Sequence, residues 1–249
     1  GGRRFFERLT VGSNYPVFFE RLADGSEREI LDPNSWSEDG SVAPGEDEIS
    51  PKGNYLAIAH SINDNDLQNW RVLDINTTEW LCDILPPTHH SSAVWLKDET
   101  GFYYERVDGD QQSIYFHRLH TNSEADEAIF IPEFGDETIY EVDISDDQQW
   151  LYILGEPLKG SNFIDVRAVD QPNAPFVRLV DVDVNDTNTY LIHGKGAEHI
   201  LWTDRESPRG RLVKVSLGES NWTEFIPESV DVLNTATVIC DRLICEYYN

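Results

Sequence analysis

The stretch Ser50–Ser61 reads SPKGNYLAIAHS, a polar turn followed by a short apolar run, and its reading decides the fold. Pro fixes φ, Gly accepts φ > 0, and Asn bonds back to its own backbone, so the first five residues reverse the chain. The run behind them is too short and too evenly apolar for an amphipathic helix and suits a buried strand. The same order, polar turn then aromatic-rich strand, recurs in LKDETGFYYERV (Leu96–Val107), SDDQQWLYILGE (Ser145–Glu156) and HGKGAEHILWTD (His193–Asp204). CDRLICEYYN (Cys240–Asn249) repeats it at the end.

Each of the first four stretches is followed by a third strand, NWRVLDI, SIYFHRL, NFIDVRAV or RLVKVSL, and then by a fourth, EWLCDIL, DEAIFIPE, PFVRLVD or WTEFIPE. The unit repeats about every 42 to 50 residues, the period of four-stranded propeller blades. Almost no helical periodicity occurs between these runs. The sequence therefore predicts an all-β chain, a β-propeller of four-stranded antiparallel blades, over a β-sandwich, which does not repeat one four-strand unit with the same turn in the same place. The expected blades span 47–85, 91–133, 139–181 and 189–228, flanked by partial blades at 3–33 and 231–249, all within one propeller domain or fragment, residues 1–249. Within a blade both faces should be buried and the first strand should line a central channel.

The ends depart from the repeat. Arg3–Leu9, Pro16–Leu22 and Glu27–Pro33 read as the second, third and fourth strands of a blade without its inner strand, and Val232–Ile239 and Arg242–Tyr248 read as a first and second strand. The expectation is a propeller truncated at both ends, whose open edges are covered by further chain, by a partner or by closure of the ends on each other.

Composition narrows the partners. With 46 acidic against 19 basic residues the formal charge is -27, which repels nucleic-acid backbones and anionic lipid. No run of about 18 apolar residues and no signal peptide is visible, so the expected compartment is the cytoplasm, or the periplasm if a signal has been removed. Cys82, Cys240 and Cys245 are too few and scattered for a disulfide framework or a zinc site, although Cys240 and Cys245 flank a turn and could face each other. The glycosylation sequons at Asn76, Asn185 and Asn221 would matter only in a eukaryotic secreted protein.

The connector Leu31–Ala43, LDPNSWSEDGSVA, packs two turns into thirteen residues. It resembles the segment joining blades one and two in the prolyl oligopeptidase family of serine peptidases. FFERLTVGSNYPVFFERLADGSEREI before it, and SPKGNYLAIAHS, SSAVWLKDETGFYYERV and TDRESPRGRLVKVSL after it, are similar to that family's blades in order and spacing. The resemblance spans essentially the whole chain. It implies a parent with a seven-bladed propeller inserted into an α/β-hydrolase domain, a Ser-Asp-His triad at their interface, and cleavage of short peptides after proline. The chain would supply the size filter and gate, with the α/β-hydrolase domain and short peptides as partners, and would itself be inactive.

The candidate site residues fit that division. No Gly-x-Ser-x-Gly elbow occurs. Gly160-Ser161-Asn162 and Gly12-Ser13-Asn14 share the family's Gly-Ser-Asn but lack its flanking glycines, and both read as turns. His89-His90 precedes an inner strand, and adjacent residues of an extended segment point to opposite sides, which makes a poor chelating pair. The resemblance places His90 where mammalian members carry a substrate-pocket Phe, which makes His90 the one candidate substrate-binding residue despite its different type. Asp64-Asp66, Asp146-Asp147 and Asp181-Asp183 lack the spacing of a calcium loop, and no cofactor or metal is expected. Phe5-Phe6, Phe18-Phe19, Tyr103-Tyr104 and Tyr247-Tyr248 read as blade-packing residues. The alternative function is a free-standing propeller that binds a peptide or protein partner. A propeller enzyme with its site in the channel would need clustered ligands that the sequence lacks.

Overall fold

The computed structural model describes residues 2–62, 67–89, 92–109, 111–133, 138–181, 187–218, 222–239 and 242–249. The chain divides into two compact units, Gly1–Gly135 and Asp136–Asn249. The first unit holds three antiparallel sheets. They are β1 (Arg4–Arg8), β2 (Val17–Arg21) and β3 (Glu27–Leu31); β4 (Val42–Ile49), β5 (Tyr55–Ile62), β6 (Gln68–Asp74) and β7 (Glu79–Thr88); and β8 (Val94–Trp95), β9 (Gly101–Asp108), β10 (Gln111–Arg118) and β11 (Glu127–Phe130). The second unit holds β12 (Ile139–Ile144), β13 (Trp150–Glu156), β14 (Phe163–Ala168) and β15 (Val177–Val180); β16 (Thr189–Lys195), β17 (Glu198–Thr203), β18 (Arg211–Ser216) and β19 (Thr223–Ile226); and a pair, β20 (Val232–Ile239) and β21 (Arg242–Tyr248). Within each sheet every strand pairs with a neighbour in sequence, and the four-stranded antiparallel sheets make an all-β propeller fold.

One turn geometry joins the first two strands in three sheets. The N–H groups of Gly53, Glu99 and Gln148 donate to the carbonyls of Ser50, Leu96 and Ser145 at 2.8, 2.9 and 2.7 Å. The N–H groups of Ser50, Leu96 and Ser145 in turn donate to Tyr55, Gly101 and Trp150. The pattern requires a left-handed residue, met by Gly53, Glu99 and Gln148 at φ +77°, +66° and +57°. At Gly53 a Cβ would also lie 2.8 Å from the Phe5 ring, so here the close approach, added to the left-handed backbone, favours glycine where the other turns carry Glu99 and Gln148. The fourth sheet departs from the repeat: Lys195 pairs directly with Glu198 around Gly196 and Ala197, a two-residue hairpin.

Both faces of the central strands are buried, as alternation on a doubly covered sheet requires. On β5, Leu56 and Ile58 face Phe18, Ile30 and Leu31 of the first sheet, whereas Ala57 and Ala59 face the cluster containing Trp70, Trp95, Phe102 and Tyr104. Small alanines leave room for four large rings, so volume is conserved across the interface. In the second unit Leu201 packs with Tyr152, Ile164 and Val213, while its neighbour Ile200 packs with Leu212, Leu233 and Ala236. Each fully buried large apolar side chain contributes about 1.5–3 kcal/mol, which makes these interfaces the main source of cohesion.

Polar links add register. Glu99, 6% exposed, accepts from Ser50 Oγ at 2.6 Å, Lys52 N at 2.7 Å and Asn54 Nδ2 at 2.7 Å, tying the third sheet's turn to the second's. Burial raises its pKa, but those bonds outweigh it and hold the carboxyl below its ordinary value. Glu20 clamps Arg3 and Arg28 at 2.6 Å each, and these reach Asn76 in the second sheet, so its carboxyl is lowered to about 2. In the second unit Asp147 accepts from Gly196 N at 2.8 Å across two sheets.

The connector behaves as its turn residues dictate. Asp32 caps a single 3-10 turn, Pro33–Ser35, and Gly40 sits at φ +74° behind the Asp39–Ser41 hydrogen bond. Asn34 does more than turn the chain: its Oδ1 accepts from Asn14 N and Tyr15 N, and its Nδ2 donates to Tyr15 O. One side chain thereby pins the β1–β2 hairpin to the linker.

Tyr247 and Tyr248 are 38% and 54% exposed on β21, whereas Phe18, Tyr103 and Tyr104 are buried. Cys82 is exposed and Cys245 half-buried, and Cys240 lies outside the described residues. No described helix is long and apolar enough to cross a membrane.

Candidate functional site

The first strand of each four-stranded sheet, β4, β8, β12 or β16, occupies one end of its sheet order. Such an edge presents backbone N–H and C=O groups to an extended chain. On β4 the edge is shaped by a bulge, where pairing with β5 jumps from Pro44 to Asp47. Gly45 makes the bulge possible: a Cβ there would fall 1.9 Å from Gln68 Oε1. Beyond it come Glu46, Asp47 and Glu48 in succession. Burial, then the charges of Glu7 and Glu46, push Asp47 up to about 6, and burial with Asp47 raises Glu48. Trp95 Nε1 on β8 donates to Glu48 O at 3.2 Å, fastening the inner edges of two sheets together.

In the second unit β12 carries Glu141 and Asp143. The surrounding protein, then Asp146 and Glu141, push Asp143 to about 6, although solvent still reaches it. These strands concentrate negative charge on groups able to accept hydrogen bonds or a proton.

His90 lies outside the described residues, as do Asp64, Asp66, Asp183, Asn185 and Asn221. His89 is exposed, and its N–H faces Glu105 Oε1 at 3.4 Å. Glu105 is 1% exposed, and burial, partly offset by Gln112, His89 and Thr88, raises its pKa. The histidine segment is thus anchored on a buried carboxyl of β9, beside an inner strand.

Both Gly-Ser-Asn segments lie outside the strands and helices. Ser161 is 3% exposed, and the Asn162 carboxamide pairs with the Thr189 backbone through Nδ2 to O at 2.6 Å and N to Oδ1 at 2.8 Å. Gly12 sits at φ +94°, and Ser13 Oγ bonds Thr10 Oγ1 at 2.6 Å. Asp146 approaches His193 at 3.0 Å, and Asp181 approaches Arg178 at 3.7 Å. Among the described residues no group of three or more His, Cys, Asp or Glu is arranged to hold a metal ion.

A buried cluster escaped the sequence reading. His117 on β10, 0% exposed, contacts Asp83 Oδ1 through Nε2 and Asp126 Oδ1 through Nδ1, each at 2.8 Å. Tyr104 OH donates to Asp126 Oδ2 at 2.8 Å, and His120 N to Asp83 Oδ1 at 2.6 Å. With both ring nitrogens held by carboxylates, His117 has no lone pair for a general base. The signal was available in EWLCDIL, where Asp83 falls between Leu81 and Leu85 on the inward period of β7 and therefore needs a partner.

Comparison with known proteins agrees with this architecture. Residues 1–249 match the family model described as the prolyl oligopeptidase N-terminal β-propeller domain. The chain is 26% identical over 237 residues to a prolyl endopeptidase from Elizabethkingia meningoseptica, covering 89% of this chain and 33% of that protein. Over 250 residues it is 26% identical to prolyl oligopeptidase A from Galerina marginata, covering 87% and 34%. A solved prolyl endopeptidase structure superimposes with a TM-score of 0.90 at 25% identity, over 99% of this chain and 38% of that one. Prolyl oligopeptidase B from Galerina marginata shares the fold at a TM-score of 0.86 and 19% identity, over 98% and 39%. The chain spans about a third of the length of the curated relatives it matches. Sheets of four consecutive strands, the Asp-Pro-Asn connector and the match over all 249 residues together place this chain in the prolyl oligopeptidase family, as its N-terminal β-propeller domain.

Proposed function

We propose that the chain is the non-catalytic propeller portion of a prolyl oligopeptidase-like serine peptidase, the wall and gate through which short peptides reach an α/β-hydrolase domain. The observation that carries this reading is the propeller-domain match over residues 1–249 in a chain spanning a third of its relatives' length. The Ser-Asp-His triad belongs to that other domain. Cleavage after proline follows from the activity for which the relatives are named.

The geometry gives the filter a physical basis. Inner-strand edges offer hydrogen bonds that a short extended peptide can use and that a folded protein, its backbone already paired, cannot. Carboxylates on β4 and β12 favour a cationic peptide terminus and slow the entry of anionic chains. His90 contributes from the segment before β8, where its neighbour is anchored on Glu105. Gating then requires relative motion of loops or domains.

The test uses the gene product and the isolated chain side by side. An antibody against this segment should detect a product much larger than 28.5 kDa in the source cell. That product should cleave a short prolyl peptide and spare a folded protein, while the isolated chain should turn over neither. Turnover by the chain alone that survives repurification would overturn the division of labour. A native product of 28.5 kDa would replace it with a free-standing binding propeller.

A further inference from the structure

A cavity of about 240 Å³ opens on the second sheet of the first unit, lined by Trp36, Val42, Ile58, His60, Ile62, Arg71 and Trp80. That is the share of roughly eight water molecules at about 30 Å³ each. Sequence order builds it: Trp36 leaves the 3-10 turn of the connector, while Ile58 and His60 from β5, Arg71 from β6 and Trp80 from β7 bring alternate side chains to one face. Trp36 stands 6.3 Å from Trp80 and 6.2 Å from His60 between ring centroids. The Arg71 guanidinium carbon lies 4.0 Å over the Trp80 ring.

Two features set this cavity apart. Acidic residues outnumber basic ones 46 to 19, yet among the described residues no acidic side chain lines it. The guanidinium of half-buried Arg71 forms no hydrogen bond or ion pair with a described side chain and lies over the Trp80 ring, with His60 nearby. Elsewhere, half-buried arginines such as Arg3 and Arg28 pair with a carboxylate, that of Glu20. A guanidinium stacked by its face keeps its N–H edge available, and that edge is matched geometrically by a carboxylate. His60 stays neutral because burial and then Arg71 depress its pKa, which leaves the ring able to donate one further bond without adding charge.

We propose that this cavity binds a small monocarboxylate with an aromatic or aliphatic body, the carboxylate on Arg71 and the body between Trp36 and Trp80. The same chemistry is presented by a free aromatic acid and by the C-terminal residue of a short peptide. This inference is independent of the peptidase reading and stands or falls without it.

Calorimetric titration of the full-length gene product at neutral pH tests it, with 3-phenylpropionate as probe and 3-phenylpropanol as its uncharged counterpart. The acid should bind at least about tenfold more tightly than the alcohol, because a charge-assisted bond to an unpaired guanidinium is at stake. Arg71→Gln should erase that preference, whereas Arg118→Gln on a different sheet should keep it. Arg71→Lys, which retains charge but not the planar fork, should retain only part of it and guards against misreading a folding defect. The dipeptide Ala-Phe and its amide separate the two sources. Tighter binding of the dipeptide acid than of phenylpropionate points to peptide C-termini, and the reverse points to free acids. Equal binding of acid and alcohol, a preference that survives Arg71→Gln, or no binding of any probe would overturn the proposal.

Discussion

Two fully buried histidines, one in each unit, have opposite charge states. His117 lies between Asp83 and Asp126, and although burial opposes its charge, those two carboxylates carry it up to about 9. His199 on β17 meets Tyr152 OH at 2.8 Å through Nδ1, with no partner at Nε2 among the described residues. There burial prevails over the pull of Asp147 and Glu198, and the pKa falls below its ordinary value. The rings are equally inaccessible, so burial alone does not decide the charge of a core histidine; the acceptors within reach do.

Breaking the charged network should produce the largest effect. Asp83→Ala removes one carboxylate from His117 and the acceptor of His120 N, stranding a buried charge, and should cost about 3–5 kcal/mol in denaturant unfolding. A loss under about 1 kcal/mol would show that His117 is not held as a cation.

The pH dependence sharpens the contrast. The folded pKa of His117 lies above its unfolded value, so its contribution is fully present below about 6.5 and is lost as pH rises through about 9. Folding stability compared between the parent and His117→Asn should therefore converge across that window, with a pH-dependent part on the order of 3 kcal/mol. His199 has the opposite sign. Its depressed pKa makes the unfolded chain the better proton acceptor, so stability falls as pH drops through about 6.5. A His117→Asn difference that is flat from pH 6 to 10 would contradict the assignment.

The smallest effect belongs to the neutral site. Tyr152→Phe deletes one neutral hydrogen bond to His199 and should cost about 1 kcal/mol. An effect as large as that of Asp83→Ala would mean that His199 is also part of a charged network.

How much of this was legible depends on sequence distance. The strands of Ser50–Ser61 and its repeats were readable because turn chemistry and period-2 alternation act within a few residues. The Asp-Pro-Asn turn was readable for the same reason, whereas the grip of Asn34 on Asn14 and Tyr15 spans about twenty residues and left no local mark. Asp83 and His117 stand 34 positions apart in different sheets, and Arg71 and Trp36 come from separate elements. Tyr247 and Tyr248, exposed on β21, show that alternation says which residues share a face but not whether that face is covered.

The sequence by itself determined the all-β class, the four-strand repeat and the family, since each rests on short-range backbone preference or on the order of segments along the chain. Only the tertiary structure decided that Glu99 ties two sheets together, that His117 is charged while His199 is neutral, and that Arg71 lies over Trp80 at the wall of a cavity. The physical reason is that charge, burial and pairing depend on which atoms lie within a few ångströms, and a sheet fold draws those atoms from strands far apart in the chain.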